Sequence, residues 1–157
     1  MKLILWVGVC FILFGCGDQQ TADKGEAYPE TIDDYTRTIE QKPNFAPAYN
    51  NRGIAKGKLE DYEGAIDEFS KAIELKPDFA VAYDNRGVAK EALQDLKGAV
   101  ADYAKAIELK PAFAIAYYHR GVAKGRLGDT ANGCADLKRA ADLGSAEAGE
   151  WYRRFCL

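Results

Sequence analysis

From Ala46 to about residue 145, the apolar and small positions of the chain return every 34 residues. Tyr49, Tyr83 and Tyr117 fall in register, as do Gly53, Gly87 and Gly121, and Ala72, Ala106 and Ala140. Within the period 80–113, two runs rich in helix formers, 81–93 and 97–109, are separated by Gln94-Asp95. Gly87, Ala99 and Ala106 are small where two antiparallel helices must touch, and Tyr83, Leu93, Tyr103 and Ile107 supply the bulk around them. A glycine inside a helix costs about 1 kcal/mol against alanine, so its periodic return predicts a close backbone contact. Pro43, Pro77 and Pro111 end one helix pair and start the next, because proline cannot continue a helix. No single hairpin buries both its faces. The pattern therefore predicts an all-α solenoid of stacked antiparallel hairpins.

Counted from Ala80, a large residue stands fourth (Tyr83), glycine eighth (Gly87), alanine twentieth (Ala99), an aromatic twenty-fourth (Tyr103), alanine twenty-seventh (Ala106) and proline thirty-second (Pro111). This arrangement resembles the tetratricopeptide repeat, and the resemblance implies three repeats, at 46–79, 80–113 and 114–145. Residues 29–45 align with the second helix only, with Tyr35, Ile39 and Pro43 matching Tyr103, Ile107 and Pro111, and read as a half-repeat capping helix from about Pro29 to Gln41. The third unit drifts: Gly133, Leu137 and Ser145 stand in place of alanine, an aromatic and proline. Residues 146–157 read as a closing amphipathic helix, in which Trp151 and Phe155 share a face expected to pack on the last hairpin, with a direct functional use of Trp151 as the alternative.

The N-terminus breaks the period. One lysine, Lys2, precedes an apolar run from Leu3 to Phe14. That run is shorter than the ~20 residues needed to span a bilayer, and it reads as a secretory signal over residues 1–15. Leu13-Phe14-Gly15-Cys16 resembles a bacterial lipobox, which implies lipidation of Cys16 and a membrane anchor; an ordinary signal peptide with an incidental Cys16 is the alternative. Residues 16–28 then form a polar tether. Gly17 stands after Cys16 where an aspartate would retain such a lipoprotein in the inner membrane, which points to the cell envelope and to the outer membrane facing the periplasm.

Net charge narrows the partners. The chain carries 21 basic and 24 acidic residues for a net charge of −3, and the basic residues form no block, so no nucleic-acid partner is expected. His119 is the only histidine, and Ser70 and Ser145 are the only serines. There is no phosphate-binding glycine loop, no HExxH and no closely spaced cysteine pair. No catalytic residue, cofactor, metal or small-molecule substrate is expected.

The resemblance implies a concave groove lined by the first helix of each repeat. Its residues would be Asn50, Asn51, Ile54 and Lys58, then Val81, Asp84, Asn85 and Val88, then Ile115, Tyr118, His119, Val122 and Arg126. Asn50 and Ile54 occupy the places where chaperone-binding members carry the lysine and asparagine of a carboxylate clamp, so that clamp is absent. Asn51 and Asn85 match a ladder whose amides bond the backbone of a bound peptide, and His119 departs from it. Bonding of these amides to neighbouring helices is the alternative. The implied function is a membrane-anchored scaffold holding a peptide or helix of another envelope protein, itself a monomer or weak homo-oligomer. The rival is self-association through the repeat ends or the convex face.

Two further patterns invite pairing. Arg52, Arg86 and Arg120 recur where the family usually has leucine, and Asp34, Glu68, Asp102 and Asp136 recur on the second helices. Stacking of each second helix on the next first helix suggests Asp34 with Arg52, Glu68 with Arg86, and Asp102 with Arg120; arginines free for an acidic partner are the alternative. Cys134 and Cys156 lie equidistant from the turn near Gly144-Ser145, which places them at one height on an antiparallel pair. An oxidising compartment favours a disulfide between them, against two buried thiols acting as small hydrophobes.

Overall fold

A computed structural model of the chain describes residues 31–157. The signal segment, Cys16, the tether and the first two residues of the capping segment lie outside the described residues.

Eight helices follow in order: α1 Ile32–Gln41, α2 Ala46–Lys58, α3 Tyr62–Leu75, α4 Ala80–Ala92, α5 Leu96–Leu109, α6 Ala114–Arg126, α7 Thr130–Asp142 and α8 Ala146–Phe155. No strand occurs among the described residues. Each hairpin's second helix starts the same way. The carboxylates of Asp61, Asp95 and Asp129 accept the backbone N–H of Gly64, Gly98 and Asn132, satisfying a donor that the first turn leaves open. The first helices touch across repeats, α2 with α4 and α4 with α6, whereas α3 and α5 do not approach comparably. The stack therefore curves with α2, α4 and α6 on its inner side.

Small residues set the hairpin spacing. A methyl group on Gly53 would stand 2.7 Å from the ring of Phe69, and one on Gly87 would stand 2.5 Å from the ring of the fully buried Tyr103. The third hairpin solves the same problem differently. There a methyl on Gly121 would meet the carbonyl of Gly133 at 2.9 Å, so α6 and α7 touch backbone to backbone. Ala65, Ala72, Ala99, Ala106, Ala123 and Ala140 complete the seams with no exposed surface. Leu93 does not join them. It caps the C-terminus of α4 where the chain turns outward, and it is 41% exposed.

The arginine pairing differs from the junction pairs expected from the period. Arg52 bonds Glu68, Arg86 bonds Asp102, and Arg120 bonds Asp136, all within one hairpin and sixteen residues apart. Asp34 pairs with no repeat arginine; it closes a capping box with Thr31 at the start of α1, whose hydrogen bonds hold its carboxyl below the ordinary range. The reason is geometric: in an antiparallel hairpin the seventh and twenty-third places stand at the same height. What crosses the junction is a hydroxyl. Arg52 Nη1 donates to Thr36 Oγ1 and Arg86 Nη1 to Ser70 Oγ, both at 3.1 Å. Each acid also receives a lysine, Lys56, Lys90 or Lys124, at 2.7–2.8 Å, and each arginine lies over the tyrosine three residues before it.

One of the three sites is imperfect. Asp102 and Asp136 engage both Nε and Nη2 of their arginines. Glu68, a methylene longer, reaches only Nη2 of Arg52 and leaves its Nε buried without a hydrogen-bond partner. Glu68→Asp is expected to recover about 1 kcal/mol of stability by satisfying that donor. A rise in the midpoint of thermal unfolding, followed by circular dichroism, checks this; an unchanged or lower midpoint refutes it.

The closing helix sits differently from its expected pose. It starts at Ala146 and α6 at Ala114, 32 residues apart instead of 34. Ala148 thus takes the buried place of Ala48, Ala82 and Ala116. The face packed on Leu137 and Ala140 runs through Ala148, Tyr152 and Cys156. Trp151 and Phe155 lie one residue off it; their rings meet at 4.9 Å and remain 38% and 54% exposed. Cys134 and Cys156 form a disulfide with their Cα atoms 5.7 Å apart, which ties α8 to α7.

Candidate functional site

The inner face of α2, α4 and α6 combines an open apolar surface with polar rungs that are already tied. Ile54, Val81, Val88 and Ile115 are each 37–42% exposed there, although each belongs to a residue type that the rest of the fold buries. A cleft of about 230 Å³ opens between α2, α3 and α4, with Ile54, Val88 and Lys58 on its walls and Phe69 at its back. A second, at the N-terminal end, lies between α1 and α2 and includes Asn51, Ile54 and Lys58. Lys58 makes no hydrogen bond or ion pair among the described residues.

The rungs run between helices. Asn85 Nδ2 donates to Asn50 Oδ1 at 2.9 Å, and Asn50 in turn donates to Asn51 at 3.3 Å. One repeat further on, His119 Nδ1 stands 3.1 Å from Asp84 Oδ1, with the ring set against Tyr103 and Tyr118. Asn50 and Asp84, expected in the groove, are instead buried at 4% exposure. The fifth place points into the seam between successive first helices, and the sixth place of the next repeat reaches back to satisfy it, because a buried amide or carboxylate without a partner is costly. Of the ladder residues, Asn51 keeps the most freedom, since no helix of the described residues stands ahead of it to take its amide. Val122 is half-buried against the last core cluster.

The third repeat's groove residues are likewise engaged. Arg126 donates to Glu91 at 2.6 Å and to Gln94 at 2.8 Å, and the Tyr118 hydroxyl donates to Glu147 at 2.7 Å. Partial burial and that carboxylate push the Tyr118 phenol up to about 12. Burial, with Glu91 at its hydroxyl, raises the Tyr103 phenol as well. Asp102 raises the Arg86 guanidinium above its ordinary range. These shifts fix protonation states and so favour binding without acid–base chemistry. No cluster of three metal-ligating side chains occurs among the described residues, and none of their helices is long and apolar enough to cross a membrane.

A family model described as tetratricopeptide repeat matches residues 46–79, and a second, described as TPR repeat, matches residues 92–128. The chain is a tetratricopeptide-repeat protein. Solved structures agree with that assignment. The crystal structure of MamA is similar at 26% identity and a TM-score of 0.68, over 75% of this chain and 69% of that one. The first tetratricopeptide domain of Spaghetti (RPAP3), bound to the HSP90 peptide SRMEEVD, is similar at 27% identity and a TM-score of 0.67, over 70% of this chain and 89% of that one. No curated protein matches the chain in sequence.

Within this tetratricopeptide-repeat protein, the residue that the period of 34 missed is Trp151. Through the shorter last connection it takes the place held by Asn51, Asn85 and His119 in the earlier repeats, and its ring meets Tyr118 edge-on at 6.4 Å. The signal was present in the sequence as Ala148, the small residue that opens every first helix two places after its start.

Proposed function

We propose that this protein is an adaptor that holds a peptide or helix of another cell-envelope protein against the inner face of α2, α4 and α6. The observation that carries the reading is the row Ile54, Val81, Val88 and Ile115, left open on one curved face beside the unpaired Lys58. An exposed apolar strip rimmed by polar groups is the usual mark of a protein-binding surface. A structural relative is solved with a peptide bound, which accords with it. Tetratricopeptide repeats act in general as interaction modules and not as catalysts, and the tied side chains of this groove suit such a role. The anchor in this reading is a lipid on Cys16, for which the run Leu13-Phe14-Gly15-Cys16 speaks. The lipid places the domain in the envelope, with the outer membrane favoured by Gly17.

The test is site-specific photocrosslinking in cells producing the full chain. A photoreactive residue at Val88 is expected to give a discrete adduct that disappears with Ile54→Asp and falls with Cys16→Ser, which frees the protein from the membrane. The same residue at Glu108, exposed on α5, is expected to give none. Adducts from Glu108 but not from Val88 would move binding to the outer face.

A further inference from the structure

The second cleft of the inner face lies at the C-terminal end, between α6, α7 and α8, and has a volume of about 360 Å³. Its origin is a change of bulk. In the first two hairpins an aromatic, Phe69 or Tyr103, fills the twenty-fourth place and lies under the glycine of the facing helix. In the third that place is Leu137 and the twentieth is Gly133, so the space beside α6 is not filled from below. Gly125 adds no side chain, and a methyl placed on it would meet nothing within 4 Å. The outer wall is the ring pair Trp151 and Phe155, which the disulfide holds in place from the end of α8.

We infer that this cleft is a subsite for one bulky apolar side chain of the bound segment, flanked there by acidic residues. The inference rests on the groove reading and adds to it what the partner must carry at one end. Volume selects the size: ligand clefts run from roughly 300 Å³ upward, so this one takes a single large side chain and not a folded ligand. Charge selects the flanks. Arg126 is the only charged residue lining the cleft, and no carboxylate lines it. Just beyond, Arg153 and Arg154 in the last turn of α8 have no ion-pair partner among the described residues, although Arg154 lies over the Phe155 ring. A neighbouring acid is therefore favoured and a neighbouring lysine repelled. The disulfide acts as a positioning element: without it the ring pair stands on a terminal helix held by one neighbour.

Two-dimensional NMR of the full chain, titrated with blocked tripeptides, tests this. Acetyl-Glu-Phe-Asp-amide is expected to shift the Gly125 and Gly133 amides and the Trp151 indole. Acetyl-Glu-Ala-Asp-amide and acetyl-Lys-Phe-Lys-amide are expected to bind at least about tenfold more weakly, as loss of a pocket-filling group or of a charge match implies. Gly125→Leu fills the cleft at an open position; it should retain or raise the unfolding midpoint while removing the response. The double variant Cys134→Ser, Cys156→Ser should weaken binding at least about tenfold, with the amides of α2 and α4 unchanged in the free protein. Equal shifts with the phenylalanine and alanine probes, undiminished binding to Gly125→Leu, or concentration-dependent broadening at the cleft from a second copy would each overturn the subsite. Undiminished binding to the serine double variant would overturn the clasp. Crosslinking from Val88 would survive any of these, so the subsite can fail while the adaptor reading stands.

Discussion

Asp102→Ala is expected to lower the unfolding free energy by about 3 kcal/mol, the scale for removing one partner of a buried ion pair. Asp102 is 5% exposed and is the acceptor for Arg86 Nε, Arg86 Nη2 and Lys90 at 2.6–2.9 Å. Its loss leaves two cations facing each other in a seam from which water is largely excluded. The contrast that isolates this cause is a fully apolar replacement, Arg86→Met with Lys90→Met and Asp102→Leu, which removes the charges together. That variant is expected to fall within about 1 kcal/mol of the native protein, because well-packed apolar groups commonly replace a buried charge cluster without loss. Urea denaturation of the two variants provides the measurement. A small loss for Asp102→Ala, of the order seen for exposed pairs, would show that the seam is wet.

Gly121→Ala is the second large effect, with an expected loss of about 2 kcal/mol. The added methyl would stand 2.9 Å from the Gly133 carbonyl and 3.2 Å from the Leu137 nitrogen. Both are backbone atoms, which cannot rotate aside, so α6 and α7 must separate. Overpacking of this kind costs roughly 1–3 kcal/mol or more, against which the better helix propensity of alanine returns about 1. Gly57→Ala is the control. Its methyl meets only Ala65 Cβ at 4.0 Å, and the propensity gain should then appear alone as a higher melting midpoint. If both glycines tolerate alanine equally, backbone contact is not what keeps Gly121 small.

These two sites show where the sequence was readable. The glycine and alanine places could be seen because a steric demand that recurs in every unit leaves one permitted residue type. The arginines were harder. Arg86 stands at the same distance along the period from Glu68 and from Asp102 whichever unit is counted, so periodicity could establish that acids and arginines recur together but not which of them meet. Only the height matching within an antiparallel hairpin decides, and it chooses Asp102. The inner-face residues divided in the same way. Ile54 and Val88 lie open because nothing packs over them, whereas Asn50 and Asp84 turn into the seam, a matter of about one residue's rotation around a helix. Trp151 escaped because the connection before α8 is two residues shorter than the period, which moves the whole helix out of register with the pattern that identified the others.

The disulfide between Cys134 and Cys156 also gives the solenoid a mechanical polarity. Repeats stacked only on their neighbours come apart under load from an end, one hairpin after another, because an end helix has contacts on one side only. Tension applied at the N-terminus finds α1 unprotected, and unpeeling proceeds through α2 and α3 with nothing covalent in its way. From the other end the load path is different. The bond carries tension directly from Cys156 to Cys134, bypassing the 22 residues of sequence separation between them, so α8 cannot be drawn out lengthwise and traction falls at once on α7. A segment seated against the ring pair of α8 thus pulls on the part of the domain that extends least.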